Sequence, residues 1–240
     1  MSAVPTIRQV VLLVPDLDEA IAQCRAAFGN TSGTRDPESM AELGFVHEVL
    51  SFGDTFLELC APMTSDSSHG RLVERKGAVG YMLVVQVDDL SADIARAAEL
   101  GIEPLFAEDF EGNRISQWHP KALGTLAELD QVDPHDSWHF APRIFEASCT
   151  DVARDIVGAE LATPDPEAMA QTWSTILDVP LSDPTTLPLQ ETVLRFVRSG
   201  ESTGLVAVDV AATDPARVGE SLLLCGVEFR FVADRTAVPA

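Results

Sequence analysis

Three glutamates sit where a carboxylate could do chemistry. Glu58 interrupts the apolar run Phe56-Leu57-Glu58-Leu59-Cys60-Ala61-Pro62, and Glu128 interrupts Leu126-Ala127-Glu128-Leu129. A carboxylate inside such a run either faces water at a sheet edge or lines a pocket, where it can donate or take a proton. Glu42 lies in Ala41-Glu42-Leu43-Gly44, where a solvated loop carboxylate is the reading that competes with a role in chemistry. His47 follows five residues later, and strand alternation sets it on the opposite face from Val46 and Glu48. Trp118-His119-Pro120-Lys121 supplies an aromatic ring and one of only two lysines. Glycine-rich phosphate loops, nucleophile elbows and HExxH motifs are absent from the sequence.

A repeated element must position these side chains. An apolar strand, a Pro or Asp turn and a short helix recur at Ile7–Gly29, Tyr81–Gly101, Ile156–Asp178 and, in weaker form, Leu205–Gly226. Asp at each strand end predicts an N-cap, and Gly29 and Gly101 predict helix stops. Leu17, Ala20, Ile21, Cys24 and Phe28 keep helical spacing. Phe45–Gly53 and Phe56–Pro62, separated by Asp54-Thr55, predict a hairpin. The expected unit is a strand, a helix and about three strands. The fold class is therefore α+β, with tandem βαβββ modules forming curved mixed sheets. A first domain covers residues 1–133, with modules 7–62 and 81–132. A turn-rich linker covers 134–153, and a truncated, degenerate second domain covers 154–240.

Composition narrows the partners. The chain has 240 residues, 46% of them hydrophobic, and 38 acidic against 16 basic residues give a net charge of −22. Such a surface repels nucleic acid and anionic membrane, and no run is long and apolar enough to span a bilayer. Neither is expected as a partner. The four cysteines form no CxxC, so free thiols in the cytoplasm are expected. The expected partner is a small-molecule ligand, and a homodimer is left open.

Three stretches resemble a known family in matching order. They are the Val14-Pro15-Asp16-Leu17 turn, the segment from Glu42-Leu43-Gly44 through Gly53-Asp54-Thr55 to Glu58-Leu59, and His119-Pro120-Lys121 followed by Gly124 to Leu129. Residues 7–132 resemble methylmalonyl-CoA epimerase, of the vicinal oxygen chelate (glyoxalase) superfamily. The second half is similar to that superfamily only in its strand–helix rhythm. The resemblance implies a divalent metal held at four strand positions, which fall on Gln9, Glu58, Met82 and Glu128. Both family histidines are replaced, by Gln9 and Met82. A thioether suits soft metals and mismatches hard cations, so no cofactor is expected, though two carboxylates and an amide could hold a divalent cation weakly.

The resulting expectation is a metal-free pocket acting by proton transfer next to a carbonyl: an isomerase, epimerase or lyase on a small organic acid, ketone or acyl thioester. Glu42, which falls on the position that the resemblance implies for the general base, Glu58 and Glu128 are its catalytic candidates. Gln9, His47, Met82, Trp118 and Lys121 are its substrate-binding candidates. The alternative is a non-catalytic protein of the same fold that sequesters a small molecule. A metal-dependent dioxygenase needs two histidines and a carboxylate, which the second half does not offer.

Overall fold

The structure is a computed structural model, and it describes residues 5–110, 112–200 and 203–234. Aspartate sets the start of each repeat's helix. Asp16 opens α1 (Leu17–Phe28) by accepting the Glu19 N–H at 3.0 Å. Asp89 does the same for α4 (Leu90–Glu99) at Ala92, and Asp165 for α7 (Pro166–Leu177) at Ala168. Each such cap is worth about 1 kcal/mol. In the fourth repeat Asp214 caps only a 3-10 turn, Pro215–Arg217, so the weakest sequence copy is also the shortest helix. Gly29 ends α1 at φ 84°, with its N–H donating to the Arg25 carbonyl.

Strands β1 (Thr6–Leu13), β2 (Phe45–Ser51), β3 (Phe56–Pro62), β4 (Val79–Gln86), β5 (Phe106–Phe110), β6 (Asn113–Trp118) and β7 (Leu126–Gln131) form a mixed sheet in the order β2-β3-β1-β4-β7-β6-β5. The expected hairpin is β2 with β3, antiparallel. Strands β8 (Ala153–Thr163), β9 (Thr186–Pro188), β10 (Val193–Arg198), β11 (Gly204–Ala212), β12 (Ser221–Leu224) and β13 (Val227–Val232) form a second sheet, β12-β13-β11-β8-β10-β9. Each sheet reads outward in the same way from its two central strands. β4 is followed by β7, β6 and β5, and β1 by β3 and β2. Where the first module lacks an outermost strand, a single bridge from Thr34 to Val49 stands in its place. The expected tandem βαβββ build is thus present, and among the described residues the second sheet is the smaller by one strand.

Short helices fill the connections: α2 (Pro37–Glu42), α3 (Ser68–Lys76), α5 (Pro120–Leu123) and α6 (Arg143–Glu146). His69 lies in α3 with its ring 4.7 Å from Phe45. Polar Thr-Ser-Asp-Ser-Ser looks like loop, yet Ser67 caps a helix by accepting the Gly70 N–H. Among the described residues no helix is long and apolar enough to cross a membrane.

The two sheets fall on either side of residues 134–153, but compact packing cuts across them. One unit gathers residues up to Gln9, Tyr81–His139 and Gly158–Val206. Its core includes Trp118 and Trp173, both fully buried, and the Trp173 indole N–H donates to the Leu123 carbonyl at 3.0 Å. The other unit gathers Val10–Gly80, Phe140–Val157 and residues from Ala207 onward. There Phe28 meets Phe52 at 5.3 Å and Phe229 at 5.4 Å, both edge to face, a geometry favoured by ring quadrupoles. In this second unit Asp155 accepts the Asp54 N–H and the Thr55 hydroxyl, while Thr55 Oγ1 accepts the Ile156 N–H at 2.7 Å. The start of β8 is thereby tied to the β2–β3 turn.

Candidate active site

In the second unit, the β2–β3 register places His47 opposite Cys60 and Val49 opposite Glu58. Paired residues in an antiparallel ladder point the same way, so these four side chains share one face and Glu48, Leu50, Leu57 and Leu59 share the other. His47 Nδ1 lies 2.6 Å from Glu58 Oε1, and His47 Nε2 accepts the Asp36 N–H at 2.7 Å. A backbone N–H can only donate, so Nε2 is the acceptor nitrogen and Nδ1 is left to donate to Glu58. The imidazole is 1% exposed and the Glu58 side chain 9%. Burial, followed by the charge of Glu58, pushes the Cys60 thiol well above its usual range.

The loop that delivers the Asp36 N–H is itself anchored. On the opposite face Glu48 accepts from Arg25 of α1 at 2.6 Å and from Arg35 at 2.8 Å. A Cβ on Gly33 would collide with the Glu48 carboxylate, so only glycine allows the loop this close. The sequence reading missed Glu48, because its partners come from a helix and a loop with no fixed spacing.

Glu42, the expected base, is the last residue of α2 and is exposed.

In the first unit, the pairings Met82 with Leu126, Val84 with Glu128 and Gln117 with Glu128 set Met82, Gln117 and Glu128 on one face. The Gln117 amide donates to Glu128 Oε2 at 2.6 Å and approaches the Met82 sulfur at 3.8 Å. Gln117 was not anticipated; strand alternation from Trp118 was the available signal. Trp118 itself lies on the other face, fully buried, with its indole N–H donating to Ser116. Lys121 is exposed in α5, where its backbone N–H donates to His119 Nδ1 at 3.0 Å. The His-Pro-Lys stretch is therefore a helix cap.

The linker contributes to both units. In the first, the Trp138 indole N–H donates to Gln9 Oε1 at 3.1 Å, the Gln86 amide donates to the His135 carbonyl, and His139 Nε2 lies 2.8 Å from Asp130 Oδ2. Asp130 has no exposed surface, and burial raises its carboxyl well above the usual range. In the second, the Phe140 ring lies 6.1 Å from His47 and Phe145 lies 5.7 Å from Phe56.

The four positions that the resemblance assigns to a metal do not fit one. Gln9 turns its carbonyl oxygen to an indole, Met82 offers a thioether beside an amide, Glu128 is held by Gln117, and Glu58 is held by His47. Among the described residues no group of three or more His, Cys, Asp or Glu could hold a metal ion.

The comparisons agree with this architecture. Residues 10–177 match the model of a glyoxalase-like domain. The chain belongs to that glyoxalase-like family. It is 29% identical over 132 residues to an ethylmalonyl-CoA/methylmalonyl-CoA epimerase of Cereibacter sphaeroides, covering 52% of this chain and 97% of that one. It is 28% identical over 131 residues to the mitochondrial methylmalonyl-CoA epimerase of Bos taurus, covering 52% and 74%. A crystal structure of a hypothetical protein from Staphylococcus aureus matches end to end: 96% of this chain and all of that one, with a TM-score of 0.64 and 11% identity. That last likeness is one of fold. The expected epimerase-like first half of a tandem glyoxalase-type chain stands.

Proposed function

We propose that this protein is a proton-transfer enzyme of the isomerase or epimerase type, acting next to the carbonyl of a small organic acid or acyl thioester. The observation that carries this reading is the buried His47–Glu58 pair. Glu58 takes the proton. His47 fixes the orientation of the carboxylate, and the Asp36 N–H fixes His47. Glu128, held by Gln117, is the second carboxylate candidate, and Gln9, Met82 and Lys121 are retained as ligand-binding candidates. The geometry favours Glu58 over Glu42 as the base. Methylmalonyl-CoA and ethylmalonyl-CoA, the substrates named for the relatives, are the first compounds to test. Incubation in D2O should load deuterium at the carbon next to the thioester carbonyl, and Glu58→Gln should abolish that loading. Unchanged loading in Glu58→Gln sinks the assignment.

A second reading, a non-catalytic protein that sequesters its ligand, is favoured by the linker rings that lie on His47 and beside Gln9. Ligand-induced thermal stabilisation with no deuterium loading in the unmutated protein would establish it. We further propose a cytoplasmic location, supported by four free thiols, and sequential domains at 1–133 and 154–240. A homodimer is also proposed, to be checked by sedimentation.

A further inference from the structure

In the second unit the linker crosses the face that carries Glu58. Phe56, Glu58 and Cys60 alternate onto one side of β3, with His47 opposite Cys60 on β2. Two linker rings rest on that side. Phe140 lies edge to face with His47 at 6.1 Å, and Phe145 lies edge to face with Phe56 at 5.7 Å. Residues 140–145 therefore run along this face from His47 to Phe56, and Arg143 falls between the two contacts. Its backbone is held in place. Ile144, the next residue of α6, has no exposed surface, and its N–H donates to the Phe140 carbonyl at 3.3 Å. Phe140 itself stands at φ 63°, a left-handed conformation that a bulky side chain rarely adopts. Strain of that kind persists where surrounding contacts enforce it, and it gathers at ligand-binding positions. Here it sets one ring against both His47 and the Arg143 guanidinium, whose Cζ lies 5.2 Å from the ring centre.

The charge of Arg143 is uncommitted. The residue is exposed, and among the described residues its guanidinium makes no ion pair and no hydrogen bond. Asp36, whose N–H holds His47, turns its carboxylate to the Ser39 N–H and hydroxyl instead. Other arginines of this unit are already engaged: Arg25 and Arg35 on Glu48, on the opposite face, and Arg230 on Asp209. In a chain of net charge −22 the overall field repels anions, so holding one needs a local cation of this kind. We infer that Arg143 binds an anionic group, a carboxylate or a phosphate, of the ligand that occupies the Glu58 site. The inference rests on the proton-transfer reading of that site and adds the charge of the ligand to it. A guanidinium suits either oxyanion, because its planar fork offers parallel N–H donors along its edge while its face stacks on an aromatic ring.

The test measures dissociation constants by titration calorimetry on the full chain, with three probes. Methylmalonyl-CoA carries both kinds of anionic group, propionyl-CoA lacks the carboxylate, and the methylmalonyl thioester of N-acetylcysteamine lacks the phosphates. Arg143→Met should weaken methylmalonyl-CoA binding roughly ten- to a hundredfold and leave the melting temperature unchanged, and Arg143→Lys should recover part of the loss. Binding to the wild type should weaken with added salt more steeply than binding to Arg143→Met, which a purely structural role would not produce. An effect that disappears with propionyl-CoA assigns Arg143 to the carboxylate; one that disappears with the N-acetylcysteamine thioester assigns it to the phosphates. An unchanged dissociation constant in Arg143→Met, with deuterium loading still abolished by Glu58→Gln, overturns this inference and leaves the assignment of Glu58 standing. Weakened binding in Arg143→Met, with loading intact in Glu58→Gln, sinks the base and keeps the anion site. A wild type that binds none of the three overturns the inference together with the ligand class proposed above.

Discussion

Nδ1 of His47 lies 2.6 Å from Oε1 of Glu58, while its Nε2 accepts the Asp36 N–H. Both ring nitrogens are therefore committed, and the histidine positions the carboxylate without being a base itself. Glu58→Gln should lower deuterium incorporation by roughly two to four orders of magnitude and leave the fold intact, because a Gln carbonyl can still accept from His47. Glu42→Gln should lower it less than tenfold. A larger loss in Glu42→Gln than in Glu58→Gln, measured by proton NMR of the recovered thioester, would return the base to α2.

Metal content follows from the donor set at Gln9, Glu58, Met82 and Glu128. Without imidazole, and with a thioether in place of one histidine, purified protein should carry under about one tenth of an equivalent of transition metal. Elemental analysis near one equivalent, lost in Glu58→Ala, would be the contrary result. Dialysis against a chelator should leave the melting temperature unchanged.

Asp93 gives the stability curve a predictable sign. Burial raises its carboxyl to about 6, against the opposing pull of Arg96. An acid with a raised folded pKa binds its proton more tightly when folded, so its contribution is present below about pH 4 and falls as pH rises toward 6. Asp93→Asn removes that titration. The variant should gain on the native protein by about 1–3 kcal/mol between pH 4 and pH 7. Urea denaturation at the two pH values reads the difference, and a gap that is constant with pH would show that Asp93 does not titrate in this window.

Trp138→Phe keeps an aromatic side chain, shrinks it, and deletes the indole N–H that donates to Gln9. Since Trp138 is 2% exposed, loss of this buried bond and of indole volume should cost about 1–3 kcal/mol, seen as a lower urea midpoint. An unchanged midpoint would mean the indole N–H contributes nothing to holding the linker.

Local signals in the chain were readable, and distant partnerships were not. Asp16, Asp89 and Asp165 cap their helices as expected, because a cap is decided within four residues. The β2–β3 hairpin was equally clear. Strand alternation sets His47 off the face of Val46 and Glu48, but no local signal sets the register that brings it to Glu58. The linker looked like a connector because its residues are turn formers. Within it Trp138 and His139 are buried, bonded to Gln9 and Asp130, partners that only the folded chain supplies. Glu42 was the reverse case, a motif match whose side chain faces water.

The tie between Asp155 and the β2–β3 turn has a consequence during synthesis. The turn at Asp54 leaves the ribosome about 100 residues before its carboxylate partner exists, an interval of roughly 5–20 s at ordinary elongation rates. Throughout that interval the Asp54 amide and Thr55 hydroxyl have only water to satisfy them. A nascent chain stalled after the first sheet should therefore be cut readily by protease near Gly53. One stalled beyond Ile156, with that residue clear of the exit tunnel, should resist. The epimerase-like half of this protein is finished by its successor.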